Sequence, residues 1–121
     1  VKKVEQEFLV TQVVTEIYHD YPYLWEKFGQ HGRDRTEEDN YHHLDHLNTA
    51  YEMGSVTFFI DYTEWLNTVL TARDVGTALI IDNYERLLRL LEHSDLEDST
   101  EKKVYREFLQ QALDYLRTRS E

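Results

Sequence analysis

The histidines and carboxylates raise the first chemical question. His42, His43 and His46 follow Asp39 in one short stretch, and His42 and His46 stand four apart. That is the spacing at which two imidazoles share a metal on one helix face. At about 100° per residue, Asn40, Leu44, Leu47 and Tyr51 form the inward side of such a helix. His42 and His46 then fall nearly opposite, toward water. They lack the third and fourth ligands that fix a metal's geometry, so any metal there is opportunistic, and no specific metal or cofactor is expected. His43 falls on the flank above Ala50, partly buried and hydrogen-bonded to a neighbouring helix.

A second arrangement is Glu16-Ile17-Tyr18-His19, echoed loosely by Asp39-Asn40-Tyr41-His42. The Glu-x-x-His spacing belongs to carboxylate-bridged di-iron bundles. Val10, Val13, Val14 and Ile17 define the buried side of the first helix, which puts Glu16 at its edge, so spacing matches and facing does not. No Gly-x-Ser-x-Gly elbow, phosphate-binding loop or His-Glu-x-x-His occurs. Asp61, Glu64, Asp82 and Glu85 could pair for acid–base work. On acidic helices they are more simply solvated, or partners of Arg73, Arg86 and Arg89. Asp61 and Asp82 differ in standing among apolar residues, where a carboxylate needs Arg33, Arg35 or a Tyr hydroxyl. Arg33 is expected to fold back onto Asp61 or Asp39.

The elements that must hold these groups are helices. Apolar residues recur at three and four, and the 4 Gly and 1 Pro stand at boundaries. The pattern predicts helices over 3–18, 22–28, 37–53, 56–73, 77–92 and 100–119. Pro22 opens the second, short and peripheral one, and Phe28 to Arg33 form a Gly-rich turn. Thr36 caps the third ahead of Glu37, Glu38 and Asp39, Gly54 ends it, and Ser55 caps the next. Phe58-Phe59-Ile60 is strand-like alone, but it lies within a longer helical pattern. The expectation is an all-α antiparallel bundle, one domain of four major core helices with the short helix and a C-terminal helix. Phe58, Tyr62, Trp65, Val69, Leu79, Ile80, Tyr84, Leu87, Leu88 and Leu91 are expected at its centre. Val104, Phe108, Leu109, Ala112, Tyr115 and Leu116 form a seam along the last helix that could dock inward or meet a second copy.

Composition narrows the partners. The 121 residues carry 13 Lys and Arg against 24 Asp and Glu, a net charge of −11 that disfavours a nucleic-acid ligand. There is no Cys, which excludes disulfides, thiolate metal sites and Cys nucleophiles. No apolar run reaches about 18 residues and no charged-then-apolar leader is present, so the expectation is a cytoplasmic protein without a membrane partner. The 5 Phe, 2 Trp and 9 Tyr are many for so small a bundle to hide, which predicts self-association, most simply a homodimer, or contact with a protein partner.

Residues 27–87 carry a longer pattern. An aromatic-Gly-x-x-Gly-Arg turn reads Phe28, Gly29, Gly32 and Arg33. An acidic pair and a His ahead of a Leu-rich helix read Glu38, Asp39, His43 and Leu47. A Phe-x-Asp-Tyr-x-x-Trp helix reads Phe59, Asp61, Tyr62 and Trp65, and an Arg-x-Val turn reads Arg73 and Val75. The stretch resembles the helical segment that precedes the cobalamin-binding domain in bacterial cobalamin-domain regulatory proteins. Gly76 replaces the family's usual Pro. The Asp-x-His-x-x-Gly segment that supplies the lower cobalamin ligand is absent, and Leu44-Asp45-His46 only superficially echoes it. The resemblance thus implies a helical regulatory or scaffold module, free-standing or part of a longer chain, and not cobalamin binding by this chain itself.

Together these features predict a non-enzymatic sensor or interaction domain of a bacterial regulatory system, with Arg33, Asp39, His43, Asp61, Tyr62, Trp65 and Arg73 as its structural or regulatory residues. An alternative is a bundle that binds a tetrapyrrole-like or other flat apolar cofactor at His43, Tyr62 and Trp65. A ferritin-like metal enzyme is a third, disfavoured by the facing of Glu16 and His42.

Overall fold

A computed structural model describes residues 1–119. Among them are five helices and no strand: α1 (Lys3–Asp20), α2 (Tyr23–Met53), α3 (Val56–Thr71), α4 (Thr77–His93) and α5 (Ser99–Arg119). Each helix packs on the next, α1 also meets α4, and α5 lies against α2, α3 and α4. The expected all-α bundle is therefore present.

The connections follow from local chemistry. Glu5 reaches back to the Lys2 amide at 2.9 Å at the start of α1. Gly54 ends α2 in the left-handed conformation, φ 63°, as its position predicts. Asp74 takes the same region, φ 65°, behind α3, where the Val75 amide turns back to the Leu70 carbonyl at 2.9 Å. The Asp98 carboxylate accepts the amides of Thr100 and Glu101 at 3.1 and 3.0 Å and so caps α5. Ser55 makes no side-chain cap at α3.

Two sequence expectations are corrected in α2. The short helix and the Gly-rich turn are not separate from the third helix: the chain breaks only at Gly29 (φ 65°, ψ −160°) and is helical again from residue 30. Side chains one turn apart support the resumed helix, with Gln30 donating to Asp34 at 2.9 Å and Arg33 to Glu37 at 3.4 Å. Thr36 is consequently no cap. It sits mid-helix, its hydroxyl donating to the Gly32 carbonyl at 3.0 Å.

The third correction is the face of α3. Phe59, Tyr62, Thr63 and Leu66 are buried, whereas Phe58 and Val69 are half-buried and Trp65 is 59% exposed. The inward face is offset by one residue from the expected one. Ile80, Tyr84, Leu87 and Leu91 of α4 are buried as expected, with Leu79 and Leu88 half-buried. On α5, Tyr105, Leu109, Ala112, Leu113 and Leu116 are fully buried against the same core. The C-terminal seam is thus spent on intramolecular docking, and its Val104, Phe108 and Tyr115 are only half-covered.

Polar groups inside the core are paired. Asn40 and Asn83 exchange hydrogen bonds of 2.9 and 2.7 Å between α2 and α4, and Asn40 also donates to the Thr36 carbonyl. Thr63 and Tyr84 hydroxyls meet at 3.0 Å. Arg86 gathers Asp82 (2.7 Å), Asp20 (2.7 Å) and Glu16 (3.2 Å), tying α4 to α1. No buried side-chain nitrogen or oxygen among the described residues is sealed from solvent without a partner.

Candidate functional site

At one end of the bundle the last turn of α1, the stretch of α2 from Leu24 to His43, the C-terminal half of α3 and the start of α4 leave a cavity of about 300 Å³. Its walls are mostly apolar: Ile17, Leu24, Phe28, Leu66, Leu70 and Ile80. The break at Gly29 folds the first turn of α2 over this end. Gly32 permits that fold, because a Cβ there would stand 2.3 Å from the Cβ of Phe28.

One stripe of the wall is polar. Arg35, Asp39 and His43 recur every four residues on α2 and so line the cavity one above another. His43 is only 3% exposed. Its Nδ1 meets the Tyr62 hydroxyl at 2.7 Å. Its Nε2 has no partner among the described residues, and none of their buried polar side-chain atoms is both sealed and unpartnered, so Nε2 keeps some exposure on a ring that lines the cavity. Among the described residues the Tyr62 hydroxyl has His43 as its one partner. The arrangement that uses its hydrogen has the phenol donating to Nδ1, which places the ring hydrogen on Nε2. Burial is the main reason that His43 is pushed down to about 3, with His42 and His46 adding to it, so the ring is neutral near pH 7. Burial also raises the Tyr62 phenol far above its usual range.

Asp39 is half-buried and has no hydrogen bond or ion pair among the described residues; burial raises its carboxyl, partly offset by His42, Arg35 and Arg73 nearby. Arg35 and Arg73 are exposed and make no ion pair within 4 Å among the described residues, although both act on the Asp39 carboxyl through space. Arg35, Asp39, Leu66, Leu70 and Arg73 also border a second, open groove of about 830 Å³ on the outer side of α2 and α3. Phe58, Tyr62, Trp65, His42 and His46 line that groove. The polar residues between the two spaces form their common rim.

The expected site residues are thus partly assembled. His43, Tyr62 and Trp65 form a chain of neighbours, with ring centroids 5.8 Å apart for the first pair and 6.2 Å for the second. They face two spaces: His43 lines the inner cavity, and Tyr62 and Trp65 the outer groove. His46 lines the open groove but is half-buried, less free of the fold than the helix wheel implies. Its ring stacks on Tyr62 with centroids 3.8 Å apart, and its Nδ1 meets the His42 carbonyl at 2.7 Å. The exposed apolar face of α3 covers it, which a wheel drawn on α2 alone does not include. His42 is exposed, and no cluster of three or more metal-ligating side chains forms among the described residues.

Arg33 does not reach Asp61 or Asp39, because the resumed helix directs it to Glu37 at 3.4 Å. Asp61 is exposed and needs no cation, since the outward turn of α3 carries it into the groove. Asp82 has the Tyr hydroxyl that sequence reasoning asked for, from Tyr21 at 3.0 Å, and takes Arg86 as its cation, neither Arg33 nor Arg35. Glu16 is held by Arg86 and Arg89, and His19 is exposed beside Asp20, so the Glu-x-x-His pair does not converge. Sequence reasoning missed Arg35 as a wall residue, although its spacing from Asp39 and His43 was the available signal. The cavity's apolar wall, drawn from four helices, had no local signal. The chain shows no significant match to any protein-family model, curated protein or solved structure.

Proposed function

We propose that this chain is a non-enzymatic helical sensor and interaction domain of a bacterial regulatory or signalling system, and that its sensing element is the inner cavity. The observation that carries the reading is His43: a buried, neutral imidazole with one nitrogen unpartnered among the described residues, lining a mostly apolar pocket. A few fixed polar groups in an apolar cleft are the usual make-up of a small-molecule site. A general base works best with a pKa near the operating pH, whereas His43 at about 3 offers a hydrogen bond and takes no proton. The resemblance of residues 27–87 to the segment preceding cobalamin-binding domains supports a regulatory, cytoplasmic setting. Exposed Trp65, Trp25 and Phe8 support contact with a protein partner or a second copy.

The test is a cavity probe. Phenol at millimolar concentration is expected to shift the His43 imidazole resonances and raise the melting temperature, and Leu70→Trp, which fills the pocket, to remove both effects. Absence of both in the unsubstituted protein would refute the sensing reading. Sedimentation at micromolar concentration tests self-association, and a monomer at low and high salt would remove that part.

A flat apolar cofactor has one observation in its favour: the stacked His46 and Tyr62 rings in a groove of about 830 Å³, far larger than the inner cavity. A visible absorption band in the purified protein, lost in Tyr62→Ala, would select that reading.

A further inference from the structure

We propose that residues 22–28, the start of α2 with Pro22, form a hinged flap that shuts over the inner cavity when a ligand fills it, and so carry the occupancy of the cavity to the exposed rings of Tyr23 and Trp25. This rests on the cavity being the sensing element and adds the part of the protein that moves with its occupancy.

The first argument is attachment. Among the described residues no side-chain hydrogen bond or ion pair joins residues 22–28 to the rest of the bundle. The amides of Leu24 and Trp25 bond back to the Tyr21 and Pro22 carbonyls at 3.0 and 3.1 Å, within the turn itself. Glu26 and Lys27 are exposed, and the Lys27 ammonium lies over the ring of its own neighbour Phe28, 5.0 Å from the centroid. The chain on either side is tied by polar groups: Tyr21 donates to Asp82 at 3.0 Å, and Asn40 and Asn83 bond each other twice. What seats 22–28 is apolar contact, from buried Leu24, half-buried Phe28 and the Trp25 ring edge-on to Tyr18 with centroids 5.1 Å apart. An element with few tertiary hydrogen bonds opens well below the free energy of global unfolding.

The second argument is where the chain can turn. Gly29 breaks the helix at φ 65° and ψ −160°, and nothing lies within 4 Å of the place its Cβ would take, so no neighbour crowds that side of the joint. At the other end Tyr21 also leaves helical geometry, at φ −125° and ψ 69°. Hinges are such positions at the ends of elements, which absorb a change in φ and ψ.

The third argument is what the shut flap touches. Leu24 and Phe28 line the cavity, whereas Tyr23 and Trp25 are 49% and 40% exposed. Shutting brings Phe28 so near Gly32 that a Cβ there would stand 2.3 Å from the Phe28 Cβ, so the bare glycine is the seat of the flap. A ligand in the cavity meets Leu24 and Phe28 only while the flap is shut. That difference in contact is what lets occupancy shift the flap's equilibrium.

The experiment follows amide hydrogen exchange of the whole chain with and without millimolar phenol, together with the His43 imidazole and Trp25 indole resonances. The chain has 2 Trp, so the indole signal that survives in Trp65→Phe is that of Trp25. Phenol is expected to slow exchange of residues 24–28 at least about threefold more than that of residues 44–50, and to shift the Trp25 indole. Gly32→Ala is expected to prop the flap open, abolishing the selective slowing and weakening phenol at least about fivefold, with the His43 shift still reached at higher phenol. Should Gly32→Ala fail to fold, Phe28→Ala trims the inner face with Gly32 intact and is expected to abolish the selective slowing in the same way. If phenol shifts His43 but slows 24–28 no more than 44–50, or the selective slowing survives both substitutions, the flap is wrong and the sensing reading stands. If phenol leaves His43, Trp25 and the exchange of every segment unmoved, both fail.

Discussion

The Tyr62 hydroxyl and His43 Nδ1 meet at 2.7 Å in the partition between the inner cavity and the outer groove. Tyr62→Phe keeps the ring and deletes the partner, leaving a nearly sealed imidazole nitrogen unpaired. The expected cost is about 1–3 kcal/mol, read by urea denaturation. Trp65→Ala, on the exposed side of the same helix, is expected to change stability by about 0.5 kcal/mol or less. Equal effects would mean that the partition bond carries no weight.

The neutral state of His43 gives the protein a defined acid response. Burial holds its folded-state pKa near 3, against 6.5 as the ordinary value. As pH falls below 6.5, the unfolded chain takes up a proton that the folded ring refuses, so stability falls through the window from 6.5 to 3, by at most about 1.4 kcal/mol per pH unit. Asp39 acts in the opposite sense, because burial raises its carboxyl and its protonation favours the fold at lower pH. Melting curves between pH 6.5 and pH 5.5, mostly above the carboxylate range, isolate the histidine. His43→Gln is expected to flatten the slope there, and an unchanged slope would show that His43 is not held neutral.

Asn40 and Asn83 bond each other twice across α2 and α4. Either residue changed alone to Leu strands the other amide, at about 1–3 kcal/mol. The double change removes both polar groups and is expected to cost less than the sum of the singles. A double-mutant cycle with no coupling would contradict the paired arrangement.

Gly29 breaks α2 at φ 65° with open space around it. With ψ −160° this is a region essentially confined to glycine, so Gly29→Ala meets backbone strain and no clash, for about 1–3 kcal/mol. Gly76 is also in open space but at φ −67°, so Gly76→Ala is expected to stay within about 0.5 kcal/mol. If thermal melts show the two alanine variants alike, the left-handed break at Gly29 is absent in solution.

Arg86 holds three carboxylates from α1 and α4. Arg86→Ala leaves them facing one another and is expected to cost about 2–3 kcal/mol, below the range for a fully buried pair because its partners reach solvent. Arg106→Ala, which loses one exposed partner, is expected to cost less than about 1 kcal/mol in the same denaturation assay.

How much of this was written in the chain differs from helix to helix. On α4, Ile80, Tyr84, Leu87 and Leu91 stand apart from Asp82, Glu85 and Arg89, so one stripe alone can be buried and the sequence by itself determined the face. The helical class, the stop at Gly54 and the inward side of α2 at Asn40, Leu44 and Leu47 were legible for the same local reasons. On α3, apolar residues run nearly all round, with Phe58, Phe59, Ile60, Leu66, Val69 and Leu70 giving no single stripe. Only the neighbours decide there: the Tyr84 hydroxyl selects Thr63, His43 selects Tyr62, and Trp65 is left outside. The break at one glycine in place of a whole turn also depends on tertiary contact, because Phe28 must settle over Gly32. The inner cavity is the furthest from local reading. It is the space that four helix ends fail to fill, and no spacing within one helix records how closely the others approach.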